Sequence, residues 1–141
     1  MLDKKNFYIN GKWIKPSKSN DFEVINPSNE ESFAVISLGS KEDTDAAVNA
    51  AKNAFVNWKE TSKEERISLL EKLLKIYKKR FNEMAEAMSK EMGSPIDYAI
   101  STHAASGQAH LEDFILRLKE FNFEESFNSK SNNYIAREPI G

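Results

Sequence analysis

The chain has 141 residues, 40% of them hydrophobic and 30% charged, which is the balance of a folded domain with a core rather than of a disordered chain. A formal net charge of −2 argues against a nucleic-acid partner, and the lack of cysteine excludes disulfides, thiolate nucleophiles and cysteine-ligated metal centres within these residues. No stretch approaches the roughly 18 apolar residues that span a membrane, and the first residues hold no signal-peptide run, so a cytoplasmic protein without membrane contact is expected.

The first forty residues read as two small hairpins. Phe7, Tyr8 and Ile9, then Asn10-Gly11, then Lys12, Trp13 and Ile14 carry the first. Asn-Gly accepts the positive φ of a type I′ turn, and aromatic or β-branched residues flank it. Pro16 and the polar run 17–21 end that strand. Residues 22–25 read as a third strand, closed by Asn26-Pro27-Ser28-Asn29, and 32–38 as its partner, ended by Gly39.

A helix follows. Ser40 is a good N-cap, and Glu42 and Asp43 lie in the first turn, where the helix dipole favours anions. Its apolar stripe is Val48, Ala51, Phe55 and Trp58. Residues 62–95 then hold the longest amphipathic pattern: Ile67, Leu70, Leu74, Tyr77, Phe81, Met84, Met88 and Met92, spaced by three and four. Ser62 with Glu65 is a capping box at its start, Gly93 and Pro95 stop it, and a single break is expected near 79–81. Glu71 with Lys75 and Glu86 with Lys90 are spaced as i,i+4 ion pairs. The basic run Lys75, Lys78, Lys79 and Arg80 reads as a solvated outer face.

Ser94-Pro95 restarts a helix, with Ser94 as N-cap and Pro95 in the first helical position. The expected stripe is Ile96, Ile100, His103, Gly107, Leu111, Phe114 and Leu118. From 121 onward the character changes. Phe121, Phe123 and Phe127 alternate with polar residues, 129–133 reads as a turn and 134–137 as a strand, making a third hairpin. The sum is an α+β domain of three helical regions and three β-hairpins.

Catalytic machinery is not evident in these residues. His103 and His110 share a helix face but lie about 10 Å apart along its axis, too far to share one metal ion. His110 and Asp113 are spaced to pair at i,i+3. There is no Gly-rich phosphate loop and no nucleophile elbow. Gly107 stands out because it falls mid-helix on the apolar stripe. It marks either the close approach of a packed element or a place where a ligand channel passes the helix.

Several strings together carry more. FYINGKWI (7–14), VINPSNEE (24–31), GSKEDTDAAVNAAKNAFVNW (39–58), Glu65-Arg66, KEMGSP (90–95) and REPIG (137–141) occur in an order and spacing that resemble the N-terminal part of the NAD(P)-dependent aldehyde dehydrogenase superfamily. The resemblance implies an α/β family fold of which this chain is a partial α+β piece lacking the Rossmann-type core. Residues 1–120 would be the N-terminal part of the coenzyme-binding domain, and 121–141 the start of the oligomerisation hairpin leading into that core.

What the resemblance implies for function is oxidation of an aldehyde to a carboxylic acid with NAD or NADP. The cysteine nucleophile, glutamate base and nucleotide contacts of such enzymes lie further on, so no catalytic or cofactor-binding residue is assigned here, and the chain alone is expected to be inactive. Three smaller sites are implied. Val24, Ile25 and Glu91 match part of a monovalent cation site for Na+ or K+. Gly107, Gln108 and Leu111 match the helix at the substrate entrance. The last hairpin is expected to pair with another subunit in a homo-oligomer. The alternative is a stand-alone interaction module that joins full-length homologues without catalysis.

Overall fold

The structure is a computed structural model and describes residues 1–128 and 132–140. Asn10 and Gly11 both take positive φ, 51° and 73°, as the type I′ turn requires, and join β2 (Phe7–Ile9) to β3 (Lys12–Ile14). Tyr8 lies opposite Trp13 across this hairpin, with ring centroids 5.2 Å apart. The second hairpin pairs β4 (Asp21–Asn26) with β5 (Glu31–Ser37), and its register slips between Val24 and Ile25. One strand was not expected. β1 (Leu2–Asp3) adds to β5 in parallel, giving the order β1-β5-β4. Two residues are too few to show a period of two.

Helix α1 (Lys41–Trp58) begins at Ser40 as expected, and its cap is reciprocal. The Ser40 hydroxyl accepts from the Asp43 N–H at 3.2 Å, while the Asp43 carboxylate accepts from the Ser40 N–H at 2.9 Å. The stripe of α1 is less covered than its pattern suggests. Phe55 is half-buried, but Val48, Ala51 and Trp58 are exposed, because α1 leans on β2 and little else among the described residues.

The long pattern splits at Arg80 (φ −104°, ψ 18°) into α2 (Lys63–Lys79) and α3 (Phe81–Met92), and Gly93 closes α3 with φ +72°. The Ser62–Glu65 box forms as expected. Ile67, Leu70, Leu74 and Tyr77 turn toward the interior, and α2 packs along α5, described below. In α3 the buried residue is Ala85, whereas Met84 and Met92 are exposed. A methyl side chain there lets the following segment come close. The i,i+4 pairs do not form. Glu71 reaches across to Lys119 at 2.7 Å instead, and Glu86 with Lys90 makes no ion pair among the described residues.

The third helical region departs most from expectation. Pro95 has an extended ψ of 140° and is itself the residue before the helix, so Ser94 is not the cap, and its hydroxyl is buried without a partner. A short turn, α4 (Ile96–Tyr98), runs into a π-helical segment, Ala99–Ala104, and then into α5 (Ala105–Glu120). The wider π turn shifts the inward face by less than one position. Ala99, Ala104 and Ile115 are buried, while the expected Ile100 and Phe114 face out. Ala85, Ala99 and Ala104 form the innermost cluster, with Phe81 and Met88 packed against it.

The third hairpin is present. β6 (Glu124–Ser126) pairs antiparallel with β7 (Tyr134–Ala136), and the Arg137 N–H continues the ladder to the Phe123 carbonyl at 2.8 Å. The expected turn at 129–133 falls in part outside the described residues, as does Gly141, the last residue of the REPIG string.

Candidate functional site

The elements bring one pair of expected segments together. The end of β4 lies against the C-terminal turn of α3, where a Cβ added at Gly93 would meet the Pro27 Cβ at 2.9 Å. The Ser28 hydroxyl donates to the Gly93 carbonyl at 3.4 Å. Only glycine supplies both the left-handed backbone and the room for Pro27. Val24 and Ile25 flank the register slip of β4, and Glu91 is exposed two residues before Gly93. The donor types available, backbone carbonyls and one carboxylate, suit a hard monovalent cation. Among the described residues no cluster of three histidine, aspartate or glutamate side chains could hold a metal ion.

The α5 residues split between two surroundings. A Cβ at Gly107 would meet the Tyr77 hydroxyl at 2.5 Å, so in that direction the glycine serves close packing of α2 on α5. Gln108 donates through Nε2 to Glu112 at 3.1 Å, and Glu112 pairs with Lys78 of α2 at 2.6 Å. The Lys78 ammonium is the main reason the Glu112 carboxyl titrates below the usual glutamate range. Leu111 is half-buried. His103 presses edge-on against Tyr98 at 5.0 Å, and Asp113 pairs with Arg117 at 3.3 Å rather than with His110.

The sequence reading missed a cavity. It measures about 490 Å³ and opens where α2 and α5 meet, between Trp58, Leu69, Phe114 and Phe123. Arg66 stands beside it, with its guanidinium carbon 5.9 Å from the ring centres of both Trp58 and Phe123. Phe121 and Phe123 lie edge to face at 5.0 Å. The alternation of these phenylalanines was visible in the sequence, but not that they would line one cavity with Trp58.

The described residues do not fit a nicotinamide coenzyme. Dinucleotides sit at the carboxyl ends of parallel strands joined by helical crossovers. The parallel pairing here is β1 with β5, two residues long. No described helix is long and apolar enough to cross a membrane.

Comparison with known proteins places this arrangement. A model of the aldehyde dehydrogenase family matches residues 13–141. The chain is 38% identical to a 3-succinoylsemialdehyde-pyridine dehydrogenase of a Pseudomonas species, over 100% of this chain and 29% of that protein. It superposes with a TM-score of 0.91 on a crystal structure of an aldehyde dehydrogenase from Bartonella henselae, at 51% identity, covering 94% of this chain and 28% of the other. An aldehyde dehydrogenase of Mycobacterium tuberculosis complexed with NAD+ gives a TM-score of 0.90 at 27% identity, over 98% of this chain and 29% of that one. The chain thus spans less than a third of the length of the relatives it matches, and by family model, identity and fold it belongs to the aldehyde dehydrogenase family.

Proposed function

We propose that these residues are the N-terminal portion of an enzyme that oxidises an aldehyde to a carboxylic acid with NAD or NADP, and that they do not catalyse the reaction alone. The observation that carries the reading is the match across 100% of this chain to 29% of a dehydrogenase. In the reaction the family implies, a thiolate attacks the aldehyde, the coenzyme accepts a hydride, and water releases the acid. This sequence holds no cysteine, and its strands make no dinucleotide crevice among the described residues.

Residues 1–120 then belong to the coenzyme-binding domain and 121–141 begin the oligomerisation hairpin. The short, exposed ribbon of β6 and β7 supports pairing with another subunit, since unpaired strand edges invite a further strand. The contact between Pro27 and Gly93 supports Val24, Ile25 and Glu91 as part of a Na+ or K+ site. Gln108 and Leu111 would face the substrate entrance, with Gly107 holding α5 against α2. A cytoplasmic location goes with this reading.

The test is direct. The purified chain, mixed with NAD+ or NADP+ and a panel of aliphatic and aromatic aldehydes, should form no NAD(P)H. Joined to the part of the Bartonella enzyme that it does not cover, it should support NAD(P)H formation. Turnover by the isolated chain that survives controls for contaminating enzyme would overturn the proposal.

A further inference from the structure

We infer that Asn10 is a site of spontaneous covalent modification, at which deamidation to isoaspartate opens the β2–β3 hairpin. The inference is independent of the functional reading above. Glycine follows asparagine once in this sequence, at Asn10-Gly11. The type I′ turn that calls for both residues also exposes both. Glycine leaves its own nitrogen unshielded, and an ideal Cβ at Gly11 would meet nothing within 4 Å. Neither the Asn10 carboxamide nor the Gly11 N–H has a hydrogen-bond partner among the described residues. The hairpin that carries them has three residues in each strand, and so short a two-stranded ribbon opens readily. Asn10 also lines a cavity of about 240 Å³ with Ala47, Ala50 and Ala51 of α1, which gives the opened turn room.

The chemistry balances with water alone. With the turn open, hydroxide removes the Gly11 amide proton and the nitrogen attacks the Asn10 carboxamide carbon. The new carbon–nitrogen bond closes a succinimide ring, and the bond to Nδ2 breaks to release ammonia. Water then opens the ring on either side. Breaking the bond between the nitrogen and the side-chain carbonyl gives aspartate. Breaking the bond between the nitrogen and the original main-chain carbonyl gives isoaspartate, in which the chain runs on through the side-chain carbon. The two products differ for this fold. Asp-Gly suits a type I′ turn as Asn-Gly does, so aspartate keeps the hairpin. Isoaspartate adds an atom to the main chain, whereas the length of the loop fixes the register of the strands. The pairings of Phe7 with Ile14 and of Tyr8 with Trp13 are then lost. Because α1 leans on β2, the loss reaches that helix as well.

The experiment ages the 141-residue chain at physiological temperature, at neutral and at mildly alkaline pH, both folded and in urea. Trypsin then releases residues 6–12 as one peptide, and mass spectrometry with an aspartate-specific protease tells asparagine, aspartate and isoaspartate apart at position 10. This position should react faster than every other asparagine, faster still at the higher pH, and give more isoaspartate than aspartate. The folded chain should react no more than about tenfold slower than the unfolded one, because the ribbon is marginally stable. Gly11→Ala should slow the reaction at least tenfold by shielding the nitrogen, even though it loosens the turn. Amide exchange across residues 7–14 should rise at least tenfold in the isoaspartate form, isolated by ion exchange, and stay at the wild-type rate in Asn10→Asp. Protection of Asn10 in the folded chain beyond that tenfold limit overturns the inference. An isoaspartate form whose exchange matches the wild type also overturns it. An equal rise in Asn10→Asp would assign the opening to the added charge instead of the longer main chain, and overturns it too.

Discussion

The hydroxyl of Tyr77 on α2 occupies the space that a side chain at Gly107 on α5 would need. It lies 2.5 Å from an ideal Cβ there and donates to the Ala104 carbonyl at 2.9 Å, where the π-helical segment passes into α5. One atom thus sets both the spacing of the two helices and the hydrogen bonding at the change of helix type.

Gly107→Ala should therefore destabilise the fold. Overpacking costs about 1–3 kcal/mol, against a gain of about 1 kcal/mol from helix propensity. Tyr77→Phe should cost about 1 kcal/mol through the lost hydrogen bond. Because it also removes the obstructing oxygen, the double variant should cost less than the two singles combined, by about 1 kcal/mol. Urea unfolding of the four proteins measures this. Strict additivity would show that the two residues do not share the space.

Arg66 joins the turn between α1 and α2 to Phe123, which is distant in sequence. Its Nε donates to the Thr61 hydroxyl at 2.8 Å, one Nη donates to the Lys59 carbonyl at 3.1 Å, and its guanidinium carbon lies 5.9 Å from the ring centres of Trp58 and Phe123. Arg66→Lys keeps the charge but loses the planar fork that makes these hydrogen bonds. A loss of about 1–2 kcal/mol is expected. Trp58 fluorescence should shift to the red, while Trp13, 72% exposed against 47% for Trp58, stays as it is. An unchanged spectrum with unchanged stability would remove Arg66 from this role.

What the sequence revealed follows the range of each signal. Asn10-Gly11, Ser62 with Glu65, and Gly93 act within four residues, and each stands where its local chemistry demands. The inward face of α2 is a 3.6-residue period repeated over about three turns, and it too was legible. The family was legible because weak strings recur in order along the whole chain. The π segment was not, since one extra residue per turn leaves no composition mark at Ala99 to Ala104. The shared cavity of Trp58 and Phe123, and the contact of Pro27 with Gly93, bring together residues more than sixty positions apart, and no local pattern encodes them. The exposure of α1 and the outer face of α2 was equally hidden, because a hydrophobic period says that a face wants cover and not that cover is present.

Asp43 should make stability depend on acid. Its carboxylate accepts from the Ser17 N–H at 2.8 Å and from the Ser40 N–H and hydroxyl, each at 2.9 Å. The Ser17 bond, then the Ser40 bond, holds its carboxyl below the usual aspartate range. The folded pKa is thus depressed relative to the unfolded chain. The stabilisation is complete above the ordinary aspartate value of about 3.9 and is lost as pH falls from there through the lower folded value. Thermal melts between neutral pH and strong acid should show a drop in that window, reduced in Asp43→Asn. The variant should already melt lower at neutral pH, because an amide cannot accept all three bonds as well. An identical acid profile for the two proteins would rule out Asp43 as the source.

The shift of face after the π segment can be read from two neighbours. Phe114 is 60% exposed and Ile115 is 6% exposed, although the helical period from Ile96 places Phe114 inside. The physical cause is the extra residue taken up between Ala99 and Ala104, which turns the inward face by less than one position, enough to exchange these two neighbours while Leu111 and Leu118 stay half-buried. Ile115→Ala should therefore cost about 2–4 kcal/mol, the range for truncating a buried aliphatic side chain. Phe114→Ala removes more atoms but leaves no buried cavity, so it should stay within about 0.5 kcal/mol of the wild type in the isolated chain. Denaturant midpoints of both variants measure the difference. A Phe114→Ala cost in the isolated chain that matches Ile115→Ala would mean that the helix is regular and the π turn does not set the face.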